Sequence, residues 1–315
     1  MHSSNQQQQQ QQQQELSETN TMNAEPILRA MLKQEESCYQ IDDYFQKIPS
    51  QSSEGLLPVD ADARQKIAHW CMAIMDACKY SKETAAVIMS CLDRFVSTSD
   101  GSEILLDRSH YQLAALTALY FSVKIHCSQA LSPELVAKLS EGAYAKEDIE
   151  AMEQRMLGAI QWRVNPPTAM DFVRIYLDMI VTSKNVFDQC TQNVIMELAG
   201  YQTNLSVLQF EIATTKASHV AVASLLNAIE SIYPNDKELY ETIRDFATSL
   251  SSTDIDPDYL ESLRRQLYKS ITEQTGIQFK ANEKSTCEAP VNKRMHRNSF
   301  TESPRSVHEH NKTLL

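Results

Sequence analysis

Glycine and clustered basic residues are scarce in this sequence, and each scarcity argues against a class of protein. Only 6 of the 315 residues are glycine, which disfavours a turn-rich β fold and favours helices. Lys and Arg number 29 against 41 Asp and Glu, so a nucleic-acid partner is not expected. No apolar run approaches the roughly 18 residues that cross a bilayer, and the N-terminus is polar. We therefore expect a soluble, intracellular protein with no membrane partner.

The sequence also lacks the short motifs of metal sites and of common active sites. Its seven cysteines include no CxxC pair, and Cys71, Cys78, Cys91 and Cys190 fall on apolar helical stripes. We expect these four to be buried free thiols and not disulfides or zinc ligands. Motifs of the GxGxxG, GxxxxGK[ST], HExxH and GxSxG types are absent. No catalytic residue, metal or cofactor is predicted, and the chain is not expected to be an enzyme.

Two polar tails flank a continuous helical region. Residues 1–24 contain an unbroken glutamine run, Gln6–Gln14, and residues 273–315 mix Ser, Thr, Glu, Lys and Arg. Such segments cannot bury enough apolar surface to offset the entropy of ordering, so both are predicted to be disordered. Between them the apolar residues recur at helical spacing, with no convincing strand alternation.

Proline and capping residues divide the helical region into two sets of helices. In the first set, Asp107 is predicted to cap a third helix that is apolar around most of its circumference, and Ser132–Pro133 to start a fourth. Thr168 with Asp171 resembles a capping box at the start of the second set. The other predicted helices are Asp60–Lys79, Glu147–Trp162, Phe187–Asn204, Gln209–Ile232, Asp236–Ser249 and Pro257–Ile271.

A lysine and a glutamate are the most informative residues of the first set. Lys124 lies late in the apolar third helix, and Glu153 lies in the fifth. A charge at the end of a buried helix is costly unless it has a partner or reaches the surface. The pair could dock the backbone and side chains of another protein. The alternative is that Lys124 only extends to solvent and that Glu153 is a solvated helix charge.

Four stretches of the chain together resemble the cyclin family, and most closely the D-type cyclins of plants and animals. Met31–Gln46 is similar to the N-terminal helix of the family, and Ala63–Trp70 is similar to the opening of the first cyclin box. Met89–Ser97 is similar to the second-helix motif, and Gly158–Val173 is similar to the junction between the two boxes. The resemblance implies an all-α cyclin fold with two consecutive five-helix boxes. The implied domains are 25–165, with the N-terminal helix, and 166–272.

The resemblance also implies a function and a site. The chain would be a regulatory subunit that binds a cyclin-dependent protein kinase as a heterodimer, activates it and controls cell-cycle progression, in the nucleus and cytoplasm. Lys124 and Glu153 match the residues that anchor the kinase, and Arg64 matches an internal structural arginine. The residues expected to add apolar kinase contact are Ile125, Leu157, Ile160 and Trp162.

Several alternatives stay open. Ile67 and Trp70 are candidates for substrate docking, although Trp70 also suits packing at the core edge. Ser303, followed by Pro304, is a candidate phosphorylation site in the C-terminal tail. A transcription-associated cyclin would share the fold, and a helical scaffold without a kinase would not need the lysine–glutamate pair. The kinase, the substrates and the phase of action are not specified by the sequence.

Overall fold

The computed structural model describes residues 24–47, 57–129, 131–251 and 255–275. Every regular element in these ranges is a helix, which confirms the predicted all-α class. The predicted tails lie outside these ranges except for their innermost residues, which are helical.

The helices follow one another with short connections. The first part of the chain contains helix α1 (24–38), α2 (Ala61–Cys78), α3 (Glu83–Ser97), α4 (Arg108–His126), α5 (Pro133–Leu139) and α6 (Lys146–Ala159), with 3₁₀ helices at Tyr44–Lys47 and Ser102–Leu106. The second contains α7 (Ala169–Lys184), α8 (Gln189–Ser206), α9 (Phe210–Ala213), α10 (Ala217–Ile232), α11 (Lys237–Ser249) and α12 (Pro257–Thr275).

Side-chain caps set several helix starts where the sequence predicts them. The Asp107 carboxylate accepts a hydrogen bond from the backbone of Ser109 at 2.9 Å, and the Ser132 hydroxyl accepts one from Leu135 at 3.3 Å. Thr168 and Asp171 form the predicted capping box, each side chain accepting from the backbone N–H of the other. These caps satisfy N–H groups that the first turn of a helix leaves without an internal partner.

The contacts divide the described chain into two units, here called the first box (residues 43–164) and the second-box unit (24–42 and 165–275). The boundary between the two units falls between Val164 and Asn165. Helix α1 falls in the second-box unit, whereas the predicted division grouped it with the first box; its buried residues Leu28 and Leu32 belong to the core cluster that holds residues of α7–α12.

Helix α4 is the centre of the first box. All of its residues from Tyr111 to Val123 are buried, and it packs against α2, α3, α5 and α6. This agrees with the sequence, in which the third helix is apolar around most of its circumference. Its charged or titratable side chains that reach solvent lie at its two ends, Arg108 and His110 in the first turn and Lys124 and His126 in the last.

Helix α10 has the corresponding place in the second-box unit, where it packs against α7, α8, α11 and α12. Its N-cap residue, Lys216, makes no side-chain cap. The cap comes from α1 instead: the Glu35 carboxylate accepts hydrogen bonds from the backbone of Ser218 at 2.9 Å and from its hydroxyl at 2.6 Å. Leu28 and Leu32 of α1 are buried in the same core. An apolar face and a buried carboxylate therefore hold α1 in this unit.

Three sequence expectations are wrong in detail. The fifth helix ends at Ala159 and does not reach Trp162, and the predicted helix Gln209–Ile232 is interrupted between α9 and α10. Cys78 and Cys190 are exposed, whereas Cys71 and Cys91 are buried as expected. Cys78 is the last residue of α2 and Cys190 lies in the first turn of α8, so the apolar spacing does not carry either of them into a core.

Candidate functional site

The two residues singled out in the sequence meet in the structure. Lys124, in the last turn of α4, places its Nζ 3.3 Å from Oε1 of Glu153 on α6. The lysine side chain is 50% exposed and the glutamate 15%. The pair therefore lies at the surface end of the buried α4–α6 packing, with the cation facing outward and the carboxylate partly covered.

The surroundings of Lys124 favour its charged form. Its ammonium lies 5.2 Å from the centroid of the Tyr120 ring, one helical turn earlier, within the range of a cation–π contact. Desolvation opposes the charge, but the hydrogen bond to Glu153 and the carboxylate's charge prevail and raise the pKa of Lys124 above its ordinary value. The site therefore offers a permanent cation at neutral pH.

Helix α6 holds Glu153 against α4 through a buried face. Its first turn is closed by Asp148, whose carboxylate accepts a hydrogen bond from the backbone of Ala145 at 2.8 Å. Ile149, Met152 and Met156 are buried at helical spacing and flank the glutamate. Because this face fixes the rotation of α6, the direction of Glu153 is set by core packing.

The four predicted apolar contact residues divide into two groups. Ile125 is 48% exposed and Trp162 is 71% exposed, so both offer apolar surface to a partner. Leu157 and Ile160 are buried, at 6% and 4% exposure. Their side chains support the site from within the first box, and whether a partner reaches them stays a prediction.

The segment after α6, residues 160–164, is tied to α3 and α4. The guanidinium of Arg94, a buried residue of α3, donates to the carbonyl oxygens of Arg163 at 2.7 Å and Ile160 at 3.4 Å. The His126 ring nitrogen Nε2 lies 3.0 Å from the carbonyl oxygen of Val164. These contacts close the C-terminal end of α6 and connect the segment to the Lys124 end of α4.

Trp162 has an unusual backbone conformation within that segment. Gln161 and Trp162 have φ of 56° and 59°, the left-handed region that residues with a Cβ seldom adopt. This conformation ends the helix and carries the indole outward. Arg94, which holds the segment, is not among the site residues predicted from the sequence, although a basic side chain in an otherwise apolar helix stripe signals it.

Arg64 lies at a separate, fully buried position in the first box. Its Nε and Nη2 atoms donate to the two oxygens of Asp93 at 3.0 and 2.6 Å, and the Tyr44 hydroxyl donates to Asp93 at 2.8 Å. Burial opposes the charge, yet Asp93 raises the pKa of Arg64 above its usual value. Arg64 therefore pairs with an acid in the interior of the first box, and Tyr44 connects this pair to the segment that precedes α2.

The remaining predicted site residues receive less support from the structure. Ile67 is buried at 4% exposure and Trp70 is half-buried, so an apolar docking surface at this point would depend on Trp70. Ser303 lies outside the described residues. Within the described ranges, no group of three or more His, Cys, Asp or Glu side chains is arranged to hold a metal ion. Among the helices described, none combines the length and hydropathy that crossing a membrane requires.

Comparison with known proteins assigns the part of the chain that contains the candidate site to a family. The family model of the cyclin N-terminal domain matches residues 26–165, which contain every predicted kinase-contact residue. Human G1/S-specific cyclin-D1 is 23% identical over 253 residues, a region that covers 79% of each chain. The chain is a cyclin with similarity to the D type. As a cyclin it is a regulatory subunit, which fits the absence of catalytic motifs from its sequence.

Two further relatives support this assignment at different levels. Rat G1/S-specific cyclin-E1 is 23% identical to this cyclin over 185 residues, covering 57% of this chain and 42% of the relative. The crystal structure of a viral cyclin from herpesvirus saimiri covers 69% of this chain and 88% of its own, with a TM-score of 0.52 and 17% sequence identity. That structural likeness shows that the fold is the cyclin fold.

Proposed function

We propose that this cyclin binds and activates a cyclin-dependent protein kinase and thereby controls entry into the cell cycle from G1. The observation that carries the proposal is the surface pair of half-exposed Lys124 and partly covered Glu153, presented by the central helix α4 and by α6, which packs against it. The G1/S-specific cyclins among its relatives favour the phase of action.

The chemistry of the pair suits a protein backbone. An ammonium carries three donors, so Lys124 can hold Glu153 and also donate to carbonyl groups of a partner. A carboxylate has two oxygens and accepts several hydrogen bonds, so Glu153 can keep Lys124 and also receive backbone N–H groups. Charge-assisted bonds of this kind are the stronger class of hydrogen bond, and they fix the register of a docked helix.

The exposed apolar residues supply the rest of the proposed contact. Ile125 follows Lys124 directly, and Trp162 projects from the segment that His126 connects to the same end of α4. Large, exposed aromatic side chains with fixed backbones are typical anchors of protein interfaces. Activation would be allosteric: binding energy at this surface holds the mobile helix of the kinase inward, where the kinase's own lysine–glutamate pair forms.

A panel of purified cyclin-dependent kinases tests the proposal. The full chain should bind at least one of them and raise its activity, and Lys124→Ala combined with Glu153→Ala should weaken binding by about 2–5 kcal/mol, a factor of about 30 or more. The matched control is Lys146→Ala with Glu134→Ala, an exposed pair at 2.9 Å in the same box. Equal binding by the two double variants would show that Lys124 and Glu153 are solvated surface charges.

Two other functions remain candidates on the same fold. A transcription-associated cyclin would also bind a kinase, and the kinases recovered from the panel would separate it from a G1 cyclin. A helical scaffold would bind no kinase at all, in which case even the unchanged protein would activate none of them.

We further propose that the protein is present in both nucleus and cytoplasm and that its C-terminal tail, including Ser303, regulates its turnover. The location is measured with a fluorescently tagged full chain. Truncation after Gly276 should leave kinase activation intact and lengthen the lifetime of the protein in cells. An unchanged lifetime, with Ser303 unphosphorylated in dividing cells, would remove the regulatory role of the tail.

A further inference from the structure

Two free thiols lie at the C-terminal ends of α2 and α4, and α4 carries Lys124 of the candidate site. Cys78 is the last residue of α2 and is exposed. Cys127 directly follows α4, three positions after Lys124, and it is half-buried; its backbone N–H donates to the carbonyl of Val123 at 3.0 Å. Although they are 49 positions apart in sequence, the two cysteines belong to the same contact unit.

Hydrogen bonds bring the two chain segments together. After α2 the chain reverses at Lys79, which has φ of 57°, and the backbone of Tyr80 donates to the carbonyl of Met75 at 2.9 Å. The Tyr80 hydroxyl then donates to the carbonyl oxygen of Gln129 at 2.8 Å. This bond ties the turn after Cys78 to the segment just after Cys127.

The thiols themselves are within electrostatic range of each other. Desolvation is the main cause that raises the pKa of Tyr80, and the charges of Cys78 and Cys127 raise it further. The Tyr80 hydroxyl bonds across from one segment to the other, so both cysteines lie near it. Burial raises the pKa of Cys127; a hydrogen bond with Thr84 opposes this and Cys78 adds to it. Cys78 is the accessible thiol of the pair, and Cys127 is the sheltered one.

We propose that Cys78 and Cys127 form a reversible disulfide when the protein meets a peroxide. In the first step the Cys78 thiolate attacks one peroxide oxygen, the O–O bond breaks, and Cys78 becomes a sulfenic acid as hydroxide or water leaves. In the second, the Cys127 thiolate attacks that sulfur, an S–S bond forms, and water leaves. Peroxide is reduced by two electrons in all, and a dithiol or glutathione restores both thiols.

A disulfide here would act on the end of α4. The bridge needs the two Cα atoms about 4.4–6.8 Å apart, which fixes the last turn of the helix relative to the end of α2. Lys124 belongs to that turn, and its reach towards a partner depends on the turn's position. The expected loss of kinase binding on oxidation rests on the proposed function, whereas formation of the bridge does not.

Mass spectrometry of the full chain tests the bridge directly. Treatment with hydrogen peroxide should produce a peptide pair linking Cys78 to Cys127, with a mass decrease of about 2 Da that a dithiol reverses. Cys78→Ser and Cys127→Ser should each abolish the pair. Cys190→Ser, which changes an exposed thiol of the second-box unit, should leave it intact. Oxidation of Cys78 to the sulfinic acid without a linked peptide would overturn the proposal.

A separate measurement connects the bridge to function. Oxidised protein should bind the kinase more weakly than reduced protein, and the difference should vanish in Cys127→Ser while persisting in Cys190→Ser. If the linked peptide forms and kinase binding does not change, the regulatory consequence is wrong while the modification site stands. If no kinase binds the reduced protein either, the failure belongs to the proposed function.

Discussion

The guanidinium of Arg64 and the carboxylate of Asp93 form a two-point hydrogen bond inside the first box, with side-chain exposures of 0% and 1%. Each charge of this buried pair has lost its contact with water, so it depends on the hydrogen bonds to the other charge to offset the cost of desolvation. The Tyr44 hydroxyl adds a third bond to Asp93 and places the segment before α2 against the same carboxylate.

Removing the arginine should therefore be severe. Arg64→Ala leaves Asp93 buried without its counter-charge, and we expect a loss of about 3–5 kcal/mol in the free energy of unfolding, measured by thermal or urea denaturation. The control is Lys66→Ala, which breaks an exposed pair with Asp62 on the same helix and should cost less than about 1 kcal/mol. Similar losses in the two variants would contradict the buried role of Arg64.

Removing the charges of Lys124 and Glu153 should weaken kinase binding and leave stability almost unchanged. Lys124→Met and Glu153→Gln keep most of the side-chain volume, and because Lys124 is half-exposed the pair contributes about 1 kcal/mol or less to stability. We expect a melting temperature close to that of the unchanged protein alongside a large loss of kinase binding. A large drop in melting temperature would indicate that the pair is structural.

Arg94 should control the conformation at Trp162. Arg94→Ala removes the donors to the carbonyls of Ile160 and Arg163, and the loss of a buried charged donor should cost about 1–3 kcal/mol. The indole emission of Trp162 should change as the segment loosens. The measurement is made in a Trp70→Phe background, since Trp70 is the other tryptophan of the chain. Unchanged fluorescence and unchanged stability together would show that Arg94 does not hold this segment.

Glu35 should give the second-box unit a defined pH dependence. Desolvation raises the pKa of Glu35 above its ordinary value, although Ser218 and Lys216 work in the opposite direction. The folded state therefore binds this proton more tightly than the unfolded state, so the contribution of Glu35 to stability is fully present below its unfolded pKa and declines as the pH rises through the folded pKa. Relative to Glu35→Gln, the unchanged protein should lose stability between acid and neutral pH. A difference that does not vary with pH would contradict this.

The same residue is also a helix cap, and a second substitution isolates that role. At neutral pH, Glu35→Ala should still reduce stability by about 0.5–2 kcal/mol, because the first turn of α10 then lacks a side-chain acceptor. Glu36→Ala is the matched control: its side chain is 55% exposed, and its contact with Lys216 is 3.9 Å long. Equal losses for the two would mean that the cap contributes nothing.

Local chemistry explains what the sequence could predict. The starts at Asp107, Ser132 and Thr168 depend on a side chain that bonds to a backbone group two or three residues later, so a short window contains the whole signal. The burial of helix α4 could also be predicted, because a helix that is apolar around most of its circumference is stable only when it is buried in a core. Lys124 and Glu153 were found because they are charges that this pattern does not accommodate.

Long-range structure explains what the sequence could not predict. The partner of Arg64 lies 29 residues away and the cap of α10 lies 183 residues away, so no local pattern contains either. Helix ends were also obscured: α2 and α7 end with the left-handed residues Lys79 and Asn185, where glycine would have been the recognisable sign. The exposure of Cys78 and Cys190 depends on where the neighbouring helices stop.

The 183 residues between Glu35 and Ser218 impose an order on biosynthesis. A ribosome adds about 5–20 residues per second, so α1 emerges roughly 10–40 s before the turn of α10 that it caps. During that interval α1 has no core to join, and an isolated helix of its length is marginal in water. Helix α1 is therefore synthesised well before α10 but becomes ordered only after α10 has been made.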